Sequence, residues 1–197
     1  VSGVNANGTG PSSAASNSVN VASLFAPSGA YDSIATASGT GASGTITFSS
    51  IPATYTHLEI RQISRCSIGS SDCNVRFNGD TASNYSWHRP MFGNGSSATA
   101  AAAANTTAIE CPPIGYSGLA ANVYGVSVIS ILDYANTSKY KTLRALGGHE
   151  DNTVVGALIM NTGNWRNTAA ITSIELFTGG GSWTTDSHFA LYGIKGA

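Results

Sequence analysis

The stretch Gly44–Asn78, GTITFSSIPATYTHLEIRQISRCSIGSSDCNVRFN, decides the fold. It contains three β-type runs, Thr45–Phe48, His57–Ile63 and Asn74–Phe77. A proline turn, Ile51-Pro52-Ala53, separates the first two, and a polar loop flanked by Cys66 and Cys73 separates the last two. Short strands punctuated by turn residues at this spacing are the pattern of an antiparallel sandwich or barrel. In the middle run Leu58 and Ile60 point to one face, and His57, Glu59 and Arg61 to the other. A strand with one apolar and one charged face lines a core on one side and meets solvent on the other.

The same pattern continues in both directions. Tyr31–Ala37 alternates as a first strand. Val123–Tyr134, VYGVSVISILDY, is the strongest strand of the chain, with Ile129 and Ile131 on one face and Val126, Val128 and Leu132 on the other. A strand apolar on both faces is central and covered twice, by the opposite sheet and by a loop or another subunit. Lys141–Leu146, Val154–Met160, Ile171–Thr178 and Phe189–Lys195 follow, broken by Gly147-Gly148, Asn161–Asn164 and Gly179–Gly181. Thr107–Glu110 pairs briefly before Pro112-Pro113 stops it, and Asn78-Gly79-Asp80 is a strong turn. The run Ala98–Ala104, between Ser/Gly and Asn/Thr residues, reads as a surface excursion with at most one helical turn, since it is too short to hold a helix unaided. Nine or ten strands without a helix give an all-β chain: an antiparallel, jelly-roll-like β-sandwich over residues 30–197.

Residues 1–29 differ from the rest. They are small, polar and almost uncharged, with no periodicity before Val19. Such a segment does not offset its own ordering entropy, so the expectation is an extended low-complexity arm that lies on a neighbouring subunit or folds back on its own domain.

Composition narrows the function classes. Charged residues make up 10% of the 197, hydrophobic ones 42%, and the formal net charge is −1. Asn, Ser and Thr therefore supply most of the polar surface. A chain without a basic patch is not expected to bind nucleic acid or an anionic membrane. No apolar run approaches the roughly 20 residues of a membrane helix. No leader pattern, a basic segment followed by an apolar core, opens the chain.

Three cysteines admit two readings. Cys66 and Cys73 bracket a hairpin-like loop and are placed to form a disulfide with Cys111 left as a buried thiol, or all three are reduced packing residues. Neither CxxC nor a His/Cys cluster occurs at metal-ligand spacing, so no metal and no cofactor is expected. His149-Glu150-Asp151 collects acid and imidazole in one turn, and a solvated turn is the reading preferred to a cation site. Asp186, Ser187 and His188 are adjacent, but neighbours on an extended chain point to opposite faces and make no triad. The chain carries no catalytic constellation and reads as non-enzymatic. Tyr85, Trp87, His88 and Arg89, with Trp165, Arg166 and Trp183, are the candidate contacts: either a glycan grip of aromatics on β-loops, or core and subunit contacts.

Four blocks together resemble a group of tailed-bacteriophage virion proteins described as structural or tail-associated. They are ITFSSIPATYTHLEIR (Ile46–Arg61), the run from Phe77 to His88, ILDYANTSKYKTLRALGG (Ile131–Gly148) and FALYGIKG (Phe189–Gly196). The resemblance extends from Tyr31 to Ala197 and carries over no catalytic residue. It implies a component of the phage particle surface: a capsid decoration or cement protein docking through the arm and a sandwich surface. The alternative it leaves is a tail-associated adhesin, a tail-fibre or receptor-binding component that recognises host glycan. The expected partners are other virion proteins, the major capsid protein or tail proteins, and further copies of the chain in a homo-oligomer, a trimer among the options.

Overall fold

The computed structural model describes residues 29–69, 72–93, 97–153 and 156–196, together with Val4–Asn5 (β1) and Gly8–Thr9 (β2), which pair as a two-residue ladder. The rest of the segment read as an arm, 1–29, lies outside the described residues apart from Gly29. The described chain is all-β. Twelve further strands form two antiparallel sheets packed face to face.

The strands are Tyr31–Ser38 (β3), Thr45–Phe48 (β4), His57–Ser64 (β5), Asp72–Phe77 (β6), Tyr85–Gly93 (β7), Ser97–Thr106 (β8), Ile109–Pro113 (β9), Gly125–Leu132 (β10), Lys141–His149 (β11), Ala157–Trp165 (β12), Ile174–Thr178 (β13) and His188–Ile194 (β14). The large sheet has the order β3-β14-β5-β10-β11-β12-β7-β8, and the small one β4-β13-β6-β9. Between β3 and β7 the chain changes sheet at every connection, a jelly-roll-like alternation. β10, β11 and β12 then form a meander in the large sheet.

Period-two side-chain alternation builds the core between the sheets. The large sheet contributes Leu58, Ile60, Ile129, Ile131, Leu143, Ala145, Phe189 and Leu191, and the small sheet Ile46, Phe48, Val75, Phe77, Ile109, Ile174 and Leu176, all buried. Gly163 on β12 makes close contact between the layers possible. A Cβ there would lie 2.3 Å from the Ile109 side chain of the small sheet.

The Asn78-Gly79 turn forms with both residues at positive φ, 53° and 64°. Asn78 then ties the turn to the segment before β13. Its Oδ1 accepts from Thr172 N at 2.8 Å and Ser173 N at 3.1 Å, and its Nδ2 donates to Ala170 O at 2.8 Å.

Four expectations are corrected. Gly147-Gly148 and Asn161–Asn164 do not break strands but lie within β11 and β12. Ala98–Ala104 is neither loop nor helical turn but most of the ten-residue strand β8, laddered along the whole of β7. β8 is an edge strand, so methyl side chains suffice on its exposed surface while the ladder satisfies the backbone. Pro112-Pro113 does not stop a strand, because both lie within β9. β9 is the edge of the small sheet, where a residue without an N–H is tolerated. The Cys66–Cys73 disulfide is absent: all three cysteines are free and buried. The loop between them is not a hairpin. β5 belongs to the large sheet and β6 to the small one, and Cys73 instead stands opposite Cys111 on β9.

Candidate interaction surface

The aromatic candidates proved to be core. Trp165 and Trp183 are 1% and 0% exposed, Trp87 is 8% exposed, and Tyr85 is fully buried. Asp80 anchors this corner. Its Oδ2 accepts from Trp165 Nε1 at 2.7 Å and from Asn84 Nδ2 at 3.0 Å. Burial alone would raise the Asp80 pKa, but these donors and the Ala82 amide outweigh it and hold it below the usual carboxylate range. The Tyr85 ring stacks on Trp165 at 6.3 Å, and its hydroxyl donates to Asp80 O at 3.1 Å. Burial pushes that phenol up to about 12. Trp183 packs edge-on against Phe189 at 4.9 Å. These four rings cannot present a face to a sugar.

The polar candidates separate from one another. His88 is exposed on β7. Arg166 is also exposed, with its Nη2 donating to Ser83 O and Asn105 Oδ1, each at 2.7 Å. Arg89 is largely buried. It lies over the Trp87 ring at 5.2 Å and bridges two carboxylates, Asp72 at 3.2 Å and Glu110. One guanidinium thus faces two acids from β6 and β9. Burial and the neighbouring Asp72 raise the Glu110 pKa to about 7, against the lowering pull of Arg89.

The remaining chemical candidates are structural. Ser187 Oγ donates to Arg65 O at 3.1 Å and accepts from Arg65 N at 3.0 Å, while His188 Nδ1 pairs with Ser38 Oγ at 3.0 Å. The two side chains serve different elements. His149 is buried edge-on against Tyr116 at 5.8 Å, and burial lowers its pKa. Asp151 is engaged by Thr153. Among the described residues no group of three His, Cys, Asp or Glu side chains could hold a metal ion.

The two outer faces of the sandwich differ in chemistry. On the small sheet the outer side chains are mainly polar: Thr45, Thr47, Asn74, and Arg76, which pairs with Glu175 at 3.1 Å and covers the Phe177 ring at 4.6 Å. On the large sheet they are aliphatic. Ile63, Val126, Val128, Leu146, Leu158 and Met160 are between 41% and 55% exposed. Register makes them one patch in two rows. Ile63, Val126, Gly148 and Leu158 are successive partners across β5, β10, β11 and β12, and Arg61, Val128, Leu146 and Met160 form the next row. Gly148 brings no side chain to the first row, and a Cβ there would lie 1.9 Å from Ala157 O of β12. A depression of about 710 Å³ lies there, lined by Val126, Val128, Leu146, Gly148, Leu158 and their neighbours. Beyond it the next row, Glu59, Ser130, Arg144 and Thr162, is polar. In sequence the signal was the doubly apolar β10. It is the fourth of eight strands, and no element of the described chain covers its outer side. Leu146, Leu158 and Met160 gave no separate signal, because each is a single apolar residue at an outward position.

Compared with protein families, curated proteins and solved structures, the chain matches none.

Proposed function

We infer that this chain is a non-enzymatic structural protein of a bacteriophage particle, a decoration or cement protein that works by burying sandwich surface against other virion subunits. The observation that carries this reading is the aliphatic outer face of the large sheet. Six side chains of 41% to 55% exposure, at ~80 Å² each, make a patch of about 500 Å². Contiguous apolar surface of that size lies toward the upper end of what monomers expose and is often functional. Leaving it in water costs roughly 25 cal/mol per Å². The resemblance of Ile46–Arg61, Ile131–Gly148 and Phe189–Gly196 to tailed-phage virion proteins supplies the setting. Residues 1–29 are the second contact in this reading, lashing the sandwich to the shell. Many copies on a symmetric particle turn a modest single contact into firm attachment.

Antibody-gold labelling of intact particles, with antibodies raised against the sandwich, tests this reading under the electron microscope. Gold distributed over the head is the expected result. Gold confined to the tail or its fibres would overturn the decoration role in favour of the tail-associated adhesin. The sugar would then have to be gripped without Tyr85, Trp87, Trp165 and Trp183.

A further inference from the structure

We propose that the aliphatic outer face of the large sheet is the contact between two copies of this chain, packed sheet on sheet about a two-fold axis running along the strands between β10 and β11. This rests on the reading of the chain as an assembling structural protein and names the partner for that face.

The six residues lie on four adjacent strands, β5 and β10 on one side of the β10/β11 seam and β11 and β12 on the other, and exposed Pro90, Ala98 and Ala100 of β7 and β8 continue the face beyond β12. A two-fold axis along that seam places each residue opposite the one at the mirrored strand position in the same row. In the first row Val126 then faces the partner's Gly148, and Ile63 faces the partner's Leu158. In the second row Val128 faces the partner's Leu146, and Arg61 lays its aliphatic stem along the partner's Met160. Val126 thus faces the depression that Gly148 helps to line, twice per dimer. In the polar row Arg144 faces the partner's Ser130, and Glu59 faces Thr162 of the partner subunit, so no like charges oppose each other.

Glu59 is already satisfied within its own chain. It accepts from Arg61 Nε at 2.8 Å and from Tyr31 OH at 3.3 Å. Covering it therefore strands no free carboxylate.

The area is sufficient. About 500 Å² of aliphatic surface per copy gives ~1,000 Å² for the pair before the polar rim is counted, the threshold of a specific interface. A self-complementary patch of this kind closes as an isologous dimer. The six residues themselves are aliphatic, and Tyr124 and His149 are rings that line the depression beside them. Stacked sheets of this chemistry pack about 10 Å apart, as they do inside a sandwich.

The test is sedimentation equilibrium on the full chain, followed by cross-linking. The expected mass is twice the 20.0 kDa of the chain. Leu146→Lys, at an exposed position that leaves the core untouched, is expected to weaken the dimer at least ~100-fold by burying an unpaired charge. Its own melting curve, read in the monomer range, verifies that it folds.

The geometry is tested by mixing a chain carrying Ile63→Cys with a chain carrying Leu158→Cys and adding a short bis-maleimide. The buried native thiols do not compete. The mixed pair is expected to cross-link. Ile63→Cys alone is not, because its two copies are offset by three strand spacings, ~14 Å, across the seam. A monomer at every concentration would overturn the proposal, as would an oligomer indifferent to Leu146→Lys or cross-linking within each single variant only. A monomer that binds purified shells through this face would hand it to a shell subunit, ending the dimer while leaving the virion role intact.

Discussion

Glu110 gives the chain a stability that depends on pH in the direction opposite to most carboxylates. Its side chain, from β9, shares the Arg89 guanidinium of β7 with Asp72 of β6, and all three are partly or largely withdrawn from water. One cation cannot compensate two carboxylates, so the pair retains a proton, and Glu110 holds it to about pH 7 against an ordinary 4.5. The thiols behind the pair, Cys73 and Cys111, stay neutral throughout, because burial pushes the first to about 12 and the second well above its usual value. Because the folded pKa lies above the unfolded one, the contribution is complete below about pH 4.5 and lost as pH rises through 7. The difference between the two values corresponds to about 3 kcal/mol at the alkaline end. Glu110→Gln, a neutral isostere, should be no less stable than the parent at pH 5 and more stable by ~2–3 kcal/mol at pH 8. Urea unfolding at both pH values, followed by tryptophan fluorescence from the buried rings, measures this. A parent and variant that keep the same stability difference at pH 5 and pH 8 would refute the reasoning.

Three further outcomes follow from the interior. Lys141 is buried at the start of β11, where its Nζ donates to Asn136 O at 2.5 Å, Lys139 O at 3.0 Å and Thr168 O at 3.0 Å; Lys141→Met should cost ~3 kcal/mol by leaving these carbonyls without a donor, read as a lower urea midpoint. Gly163→Val should destabilise by ~2–3 kcal/mol in the same assay, since its side chain enters the space of Ile109, whereas Gly79→Ala, with open space around its Cβ and a strained φ of 64°, should cost only about 1 kcal/mol. The cysteines should be inert to a thiol reagent in the native state and give three reactive thiols in denaturant, with a melting temperature indifferent to reductant.

The layered all-β architecture was legible because alternation over four to eight residues reports directly which face is buried. Thr45–Phe48 was placed to the residue, and β5 and β14 to within one. What alternation does not carry is pairing. Nothing in Cys66–Cys73 distinguishes a hairpin from a step between sheets; of the two readings of the cysteines, the disulfide failed on that point and three reduced packing residues are found. Polyalanine was misread for a related reason. Its helix propensity is local, whereas the ladder offered by β7 is tertiary and decides the outcome. The tryptophans admitted two readings, a glycan grip or core and subunit contacts, because polar loop residues surround them in sequence; the core reading is the one found. For Trp165 the reason is Asp80: a carboxylate at a turn satisfies its indole N–H and lets the ring enter the core. The interaction face was half visible, in the doubly apolar β10. The neighbours that complete it, Ile63, Leu146, Leu158 and Met160, are brought beside β10 only by register.

Hydroxyl-radical footprinting across a dilution series addresses the central claim, that protein surface covers the outer face of the large sheet. Met160 is 50% exposed in the single chain and is the most oxidisable residue of the patch; Tyr140, 55% exposed and outside the two rows, is the internal reference. The account predicts that Met160, Leu146 and Leu158 react freely when the chain is dilute and become protected as it associates, while Tyr140 stays reactive throughout. Oxidation of Met160 at one rate, relative to Tyr140, in both dilute and associated samples would contradict it.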